Sequence, residues 1–261
     1  MAKGDGTAGA DGAPYRLEWR DGIALIRLAC GKANALNPRS LDAIERALAE
    51  ATDGGAPGLV LTGYDRFFSA GLDLVMLYDL ERDAMDAFMR RFDAVMLRVF
   101  AFPRPVVAAI GGHAVAGGAI LALACDARVM GASAGRFGLN EVRLGVPFPA
   151  SALEIARYAI PAASVERALW EGELLDPHDA LARGLVTALA DRDVVETAQA
   201  ICARLADMPA GAFETIKASL KGPAVERARA TLAPLRRAFV DAWYAPEARG
   251  RIAEARARLG G

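Results

Sequence analysis

The chain has 261 residues, of which 54% are apolar and 24% charged, with a formal net charge of −1. That length fits one large domain or two small ones, and the apolar share supplies a real core and excludes general disorder. The near-neutral balance excludes nucleic acid as the main partner, because that binding requires a concentrated basic footprint.

Residues 1–14 are rich in Gly and Ala without an apolar run, the composition of a mobile tail and not of a signal peptide. Two strand-like runs follow, residues 15–19 and 23–28, joined by Arg20-Asp21-Gly22, and Asp-Gly between such runs predicts a hairpin. Asn37 as cap and Pro38 at the first helical position open a helix with Leu41, Ile44 and Leu48 on one face, closed by Gly54-Gly55. Residues 58–62 read as a buried strand. A long amphipathic helix spans residues 82–100 and stops at Pro103 and Pro105.

Residues 106–125 carry no charge over the length of a bilayer span. Gly111-Gly112-His113 and Gly117-Gly118 divide this run into a strand at 106–110, a loop and a helix at 118–124, so it reads as a core segment and no membrane association is expected. A strand at 128–130 follows. The alternation of strand, loop and helix predicts an α/β core. Beyond residue 150, Pro161, Gly172, Pro177 and Gly184 punctuate short helices, and residues 194–259 are almost entirely helical in pattern. The apolar positions Leu232, Leu235, Phe239, Val240, Trp243 and Tyr244 of that annex fold back on its own core or pack on a neighbouring subunit; the pattern favours oligomerisation.

Cys30, Cys125 and Cys202 are odd in number, widely spaced and without a CxxC pair. That pattern argues against a disulfide framework, and against a zinc site also, since only His113 and His178 could assist; the three read as small buried hydrophobes of an intracellular, cytoplasmic protein.

The chemistry is carried by few residues. There is no Walker loop or HExxH, and no GxGxxG follows a strand. Two glycine-containing loops remain, Phe67-Phe68-Ser69-Ala70-Gly71-Leu72-Asp73-Leu74 and Ala116-Gly117-Gly118-Ala119, each at a strand-to-helix junction. Unpaired backbone N–H groups at a helix start carry positive partial charge, and two such loops can converge on an oxyanion. Between apolar residues stands one carboxylate, Glu141, in Phe137-Gly138-Leu139-Asn140-Glu141-Val142-Arg143. It is solvated at an edge, paired with Arg143, or held with a raised pKa for acid/base work.

The ordered set Lys32-Ala33-Asn34-Ala35-Leu36, Phe68 to Leu74, Ala116-Gly117-Gly118 with Cys125-Asp126, and Phe137 to Glu141 resembles the crotonase (enoyl-CoA hydratase/isomerase) superfamily over residues 15–190. The resemblance implies a spiral of ββα units over 15–190, a C-terminal helical trimerisation region over 191–261, and a homotrimer or dimer of trimers. It implies an acyl-CoA thioester substrate with no metal or redox cofactor. Carried over by position, the oxyanion hole is the N–H groups of Leu72 and Gly117, while Ala33, Ala35 and the carbonyl of Ala70 hold the CoA. Lys217 and Lys221 offer phosphate contacts, against the plainer reading of solvated lysines. Asn140 orients Glu141 or, as its position favours, forms a turn. Asp73 is a remaining candidate for a carboxylate nucleophile.

Hydratases of this family use two glutamates. The later one matches Glu141, but the earlier falls on Ile120, which would line the acyl pocket and cannot exchange a proton. The motifs therefore look most like Δ3,Δ2-enoyl-CoA isomerases, with Glu141 as the catalytic base. Enoyl-CoA hydratase or another crotonase-type lyase or hydrolase, and a non-catalytic acyl-CoA binder, are the alternatives.

Overall fold

The structure, a computed structural model, describes residues 12–31, 33–64, 66–133 and 135–259. Most of the expected N-terminal tail, and Lys32 of the first motif, lie outside the described residues. Strands β1 (Tyr15–Arg20) and β2 (Ile23–Leu28) form the expected hairpin. Asp21 (φ 50°) and Gly22 (φ 80°) are both left-handed, as a two-residue type I′ turn requires. Helix α1 (Pro38–Asp53) opens with a capping box: Ser40 N–H donates to Asn37 Oδ1 at 3.1 Å, and Asn37 N–H donates to Ser40 Oγ at 2.8 Å.

Three successive turns of chain then repeat one order. The first is β3 (Leu59–Thr62), β4 (Phe67–Ser69), α2 (Leu74–Leu77) and α3 (Arg82–Phe100). The second is β5 (Val106–Ile110), β6 (His113–Val115) and α4 (Gly117–Ala124), and the third β7 (Ala127–Gly131), β8 (Phe137–Gly138) and α5 (Glu141–Leu144). Each turn gives its first strand to a six-stranded sheet, β1-β2-β3-β5-β7-β9, and its second to a three-stranded sheet, β4-β6-β8. Beyond the hairpin the strands pair with one another in parallel, one row of the larger sheet running Ile26, Leu61, Ala108, Arg128. This is the spiral of ββα units. Helices α6 (Ala150–Ala159), α7 (Ala162–Trp170) and α8 (Pro177–Ala182) lead to β9 (Ala188–Ala190), and α9 (Val194–Ala206), α10 (Ala210–Trp243) and α11 (Pro246–Leu259) complete the fold.

The larger sheet is buried on both faces, which is why its strands read as continuous apolar runs rather than alternating ones. One face, with Leu25, Val60, Val107 and Val129, is covered by Val195, Ala198 and Cys202 of α9; the other turns Ile26, Leu61, Ala108 and Ile110 into the main core. Every residue of α4 is buried, so the uncharged run is a core helix. No helix of the described residues is long and apolar enough to cross a membrane.

The helical annex packs on this same core. Phe239, Val240 and Trp243 of α10 are buried within the chain. Earlier in α10, Lys217 and Lys221 lie one turn apart and are buried, not solvated. Their Nζ atoms meet the two oxygens of Asp126 at 2.6 and 2.7 Å. Lys217 also donates to the Arg104 carbonyl at 2.9 Å, and Lys221 to those of Phe100 and Ala124 at 3.1 and 3.4 Å. The two ammonium groups thus supply donors to chain ends that leave α3 and α4, where helix carbonyls lack partners and the macrodipole favours a cation. Burial pushes the Lys217 amine down to about 8 despite the Asp126 charge.

Removing one member of such a cluster strands buried charge. Asp126→Asn is expected to lower unfolding free energy by about 3–5 kcal/mol, measured by urea denaturation at pH 7; a loss below about 1 kcal/mol would show the lysines to be solvated in practice.

Candidate active site

The small sheet places the site. Its three parallel strands end side by side: the chain leaves β4 into Ala70-Gly71-Leu72, β6 into Ala116-Gly117, and β8 into Leu139-Asn140-Glu141. All three segments line one cavity of about 530 Å3, a size suited to a small-molecule site. Its inner wall is apolar, with Met89 and Phe92 from α3 and Phe239 and Trp243 from α10.

The first donor loop is tied down by backbone bonds to the 33–36 segment. Ala70 N–H donates to the Ala33 carbonyl at 3.0 Å, Leu36 N–H to that of Gly71 at 2.7 Å, and Asp73 N–H to that of Leu36 at 3.0 Å. In this parallel bridge the Leu72 N–H is the one that turns away, without a partner among the described residues. Two buried polar side chains, which sequence reasoning did not single out, lock the same segments. Ser69 Oγ donates to the Asn34 carbonyl at 2.7 Å; Asn34, at φ 47°, accepts from Cys30 N–H at 2.8 Å and donates to the Leu28 carbonyl at 3.1 Å. Asn34 was visible only as part of the motif; nothing in its neighbours signals burial.

The second donor is Gly117, the first residue of α4, whose N–H lies before any intrahelical acceptor. Both donors follow a residue with positive φ, Gly71 at 84° and Ala116 at 49°. Ala116 is a non-glycine residue in this region, and its backbone is strained. The loops touch: a Cβ on Gly71 would lie 2.8 Å from the Val115 carbonyl oxygen and 3.2 Å from Gly117 N, and one on Gly118 would collide with the Ser69 carbonyl. Leu72 and Gly117 therefore present two adjacent free N–H groups to the cavity.

Glu141 opens α5 and is 7% exposed. Arg143 does not pair with it; the Arg143 Nε donates instead to the Gly172 carbonyl at 2.6 Å. Glu141 Oε2 is buried with no hydrogen-bond partner, and burial pushes the carboxyl up to about 8. Of the three readings open to this residue, the desolvated carboxyl is the one realised. Asn140 precedes α5 without a side-chain cap bond and lines the cavity.

The remaining candidates separate cleanly. Ala70 lines the cavity, while Ala33 and Ala35 lie half-buried in the segment bonded behind it. Ile120, expected on the acyl pocket, is fully buried in the core instead of lining the cavity, because α4 is packed on every side. Asp73 caps α2, accepting from Met76 N–H at 3.0 Å and Asn37 Nδ2 at 3.0 Å, and is not on the cavity wall. His113 packs on Phe67 with ring centres 5.3 Å apart, and neither histidine reaches the cavity. Lys217 and Lys221 are committed to Asp126.

A family profile described as enoyl-CoA hydratase/isomerase matches residues 18–249. The chain belongs to that family. It is similar to a probable enoyl-CoA hydratase of Bacillus subtilis, 34% identical over 71% of this chain and 73% of that one. Among solved structures, an enoyl-CoA isomerase of Mycobacterium tuberculosis in its apo form superposes with a TM-score of 0.81 at 31% identity, covering 87% of this chain and all of that one. Human mitochondrial Δ3-Δ2-enoyl-CoA isomerase shares the fold, with a TM-score of 0.86 at 24% identity over 95% of this chain and 98% of that one. The crotonase fold expected from the motifs is thus the fold observed.

The buried carboxyl of this enoyl-CoA hydratase/isomerase family member costs stability in a definite pH window. Unfolded, Glu141 titrates near 4.5; folded, near 8. Between these values the native state holds the extra proton, so stability falls as pH rises. Glu141→Gln is expected to remove that slope and to melt at a higher temperature than the parent at pH 8, with little difference at pH 4.5. Parallel melting curves for the two proteins across this range would refute the burial cost.

Proposed function

We propose that the protein is a Δ3,Δ2-enoyl-CoA isomerase with Glu141 as its single acid/base. The observation that carries this is the desolvated Glu141 carboxyl on the same cavity wall as two N–H groups without partners among the described residues. Of the two carboxylates on the cavity wall among the described residues, Glu141 is buried and Glu254 is exposed on α11.

The chemistry follows from the donors. The thioester carbonyl of a 3-enoyl-CoA accepts from the N–H groups of Leu72 and Gly117. Ionised Glu141 takes a C2 proton, and the electron pair it leaves moves to the carbonyl oxygen as a dienolate. The two donors are free and pre-oriented, and each lowers the barrier by about 3 kcal/mol. Protonated Glu141 then gives the proton to C4 as the double bond settles between C2 and C3. Charge and atoms are conserved, so no metal or redox cofactor is required. A carboxyl held near 8 is better matched to both transfers than one near 4.5. Hydration would require a second group to hold and split water, and beyond Glu141 the only carboxylate on the cavity wall among the described residues is the exposed Glu254.

The hydratase reading draws support from the names of relatives such as the B. subtilis protein. Names divide even for one protein, since the M. tuberculosis relative is described both as an isomerase and as a probable hydratase.

The deciding assay follows ultraviolet absorbance of purified protein with trans-3-enoyl-CoA beside trans-2-enoyl-CoA. The expected result is growth of the conjugated thioester band from the first and negligible loss of it from the second. Glu141→Gln should lower kcat by about 10^3-fold or more, and kcat/KM should rise with pH through a group near 8. Efficient hydration would overturn the single-base reading. Gly71→Ala, which pushes a Cβ toward Val115 and displaces the Leu72 N–H, should cost about 10^2-fold in kcat with KM changed far less; an unchanged kcat would remove Leu72 from the oxyanion hole.

A further inference from the structure

Helix α11 turns a charged face to the cavity. Arg251, Glu254, Ala255 and Arg258 all line it, and their spacing of three, four and seven residues is one face of a helix. The other faces are engaged elsewhere. Ala248 and Ile252 are buried in the core. Arg249 and Arg256 hold α11 over the Tyr78 ring, at 3.4 and 4.9 Å from its centre, and bond the Tyr78 carbonyl and Asp79 at 2.8 Å each. Arg143 of α5 lines the same cavity from the adjoining wall. Three guanidinium groups and one carboxylate thus meet at this edge. Among the described residues no carboxylate lies within ion-pairing distance of Arg143 or Arg258, and Arg251 has only an exposed contact with Glu247 at 3.1 Å.

The three guanidinium groups bond backbone carbonyls (Arg143 that of Gly172, Arg251 that of Arg143, Arg258 that of Glu254) and have no buried carboxylate partner among the described residues; such an edge gains nothing from a hydrocarbon tail, whereas the planar fork of a guanidinium matches a carboxylate. Of the residues expected to hold the CoA, Ala70 lines the cavity beside the strand edges while Ala33 and Ala35 lie off it; α11 lines the wall that none of them reaches. We propose that the α5–α11 edge recognises an anionic group at the far end of the acyl chain, so that preferred substrates are CoA monothioesters of dicarboxylic acids. The inference rests on the cavity holding the acyl part of a CoA thioester, as in the function proposed above.

The test is binding, which does not depend on turnover. Calorimetry on the full chain compares saturated thioesters of six, eight and ten carbons, each as the monoacid and the ω-carboxy form, with free CoA as a third ligand. At the length that spans the cavity, the ω-carboxy thioester should bind about tenfold more tightly, and the ratio should shrink with added salt. Arg258→Glu, alone and with Arg251→Gln, should bring the ratio to one or below, and Arg258→Lys should retain part of it. Equal affinity of the two forms at all three lengths overturns the proposal. So does a loss in the variants shared equally by both thioesters and free CoA, which would mean that the arginines read the CoA phosphates. If no thioester binds at all, the acyl-CoA reading itself fails. If the ω-carboxy preference appears without turnover of 3-enoyl-CoA, only the isomerase reading falls.

Discussion

The close approach of the 69–73 and 115–118 segments is the contact on which the site depends. Val115, Ala116 and Gly117 press against Gly71 so tightly that a methyl group there would meet the Val115 carbonyl. The contact exists because β4 and β6 pair in parallel and release both segments from the same edge. Once it is made, the Leu72 and Gly117 N–H groups are neighbours, with Ser69 and Asn34 holding the first segment in place. The third strand, β8, delivers Glu141 to the same edge. A ligand site beyond the carboxyl ends of parallel strands is the general arrangement of α/β sheets; here a sheet of only three short strands suffices, because the larger sheet and α4 support it from behind.

Glu141 shows the opposing demand. A carboxyl with one oxygen buried and unpartnered is destabilising in its charged form, and the backbone hydrogen bond it receives is outweighed by burial. Stability is gained elsewhere, where Asp126 and two lysines join the ends of α3 and α4 to α10. The same kinds of charged group appear in both places. In one, two ammonium groups share a carboxylate and pin helices together; in the other a carboxyl stands without a charged partner, and burial makes it hold its proton more tightly than in water.

Much of this was legible in the chain, for identifiable reasons. The cap at Asn37 and Pro38, the Asp21-Gly22 turn and the uncharged α4 announce themselves through local chemistry and periodicity. The three-stranded sheet does not: β4, β6 and β8 have three, three and two residues, too few for any period to register. Leu72 and Gly117 entered as candidate donors through resemblance of motifs, since a backbone N–H leaves no trace in residue type. Glu141 stood out as a carboxylate among apolar neighbours, yet only the packing around it separates desolvation from a pairing with Arg143. Lys217 and Lys221 looked solvated because their partner is 91 and 95 positions away. Ile120 was placed by counting residues, and counting does not reveal which side of a fully enclosed helix faces the ligand.

Helix α10 runs 34 residues, about 50 Å at 1.5 Å per residue. Near its start it grips the centre of the spiral through Lys217 and Lys221; at its end it supplies Phe239 and Trp243 to the far wall of the cavity. The two walls of the cavity therefore come from distant stretches of the gene. The strand edges that carry Glu141 and the 71–72 and 116–117 segments can stay fixed while the last turns of α10 and the helix after it drift, so such a scaffold can reshape one wall without disturbing the other.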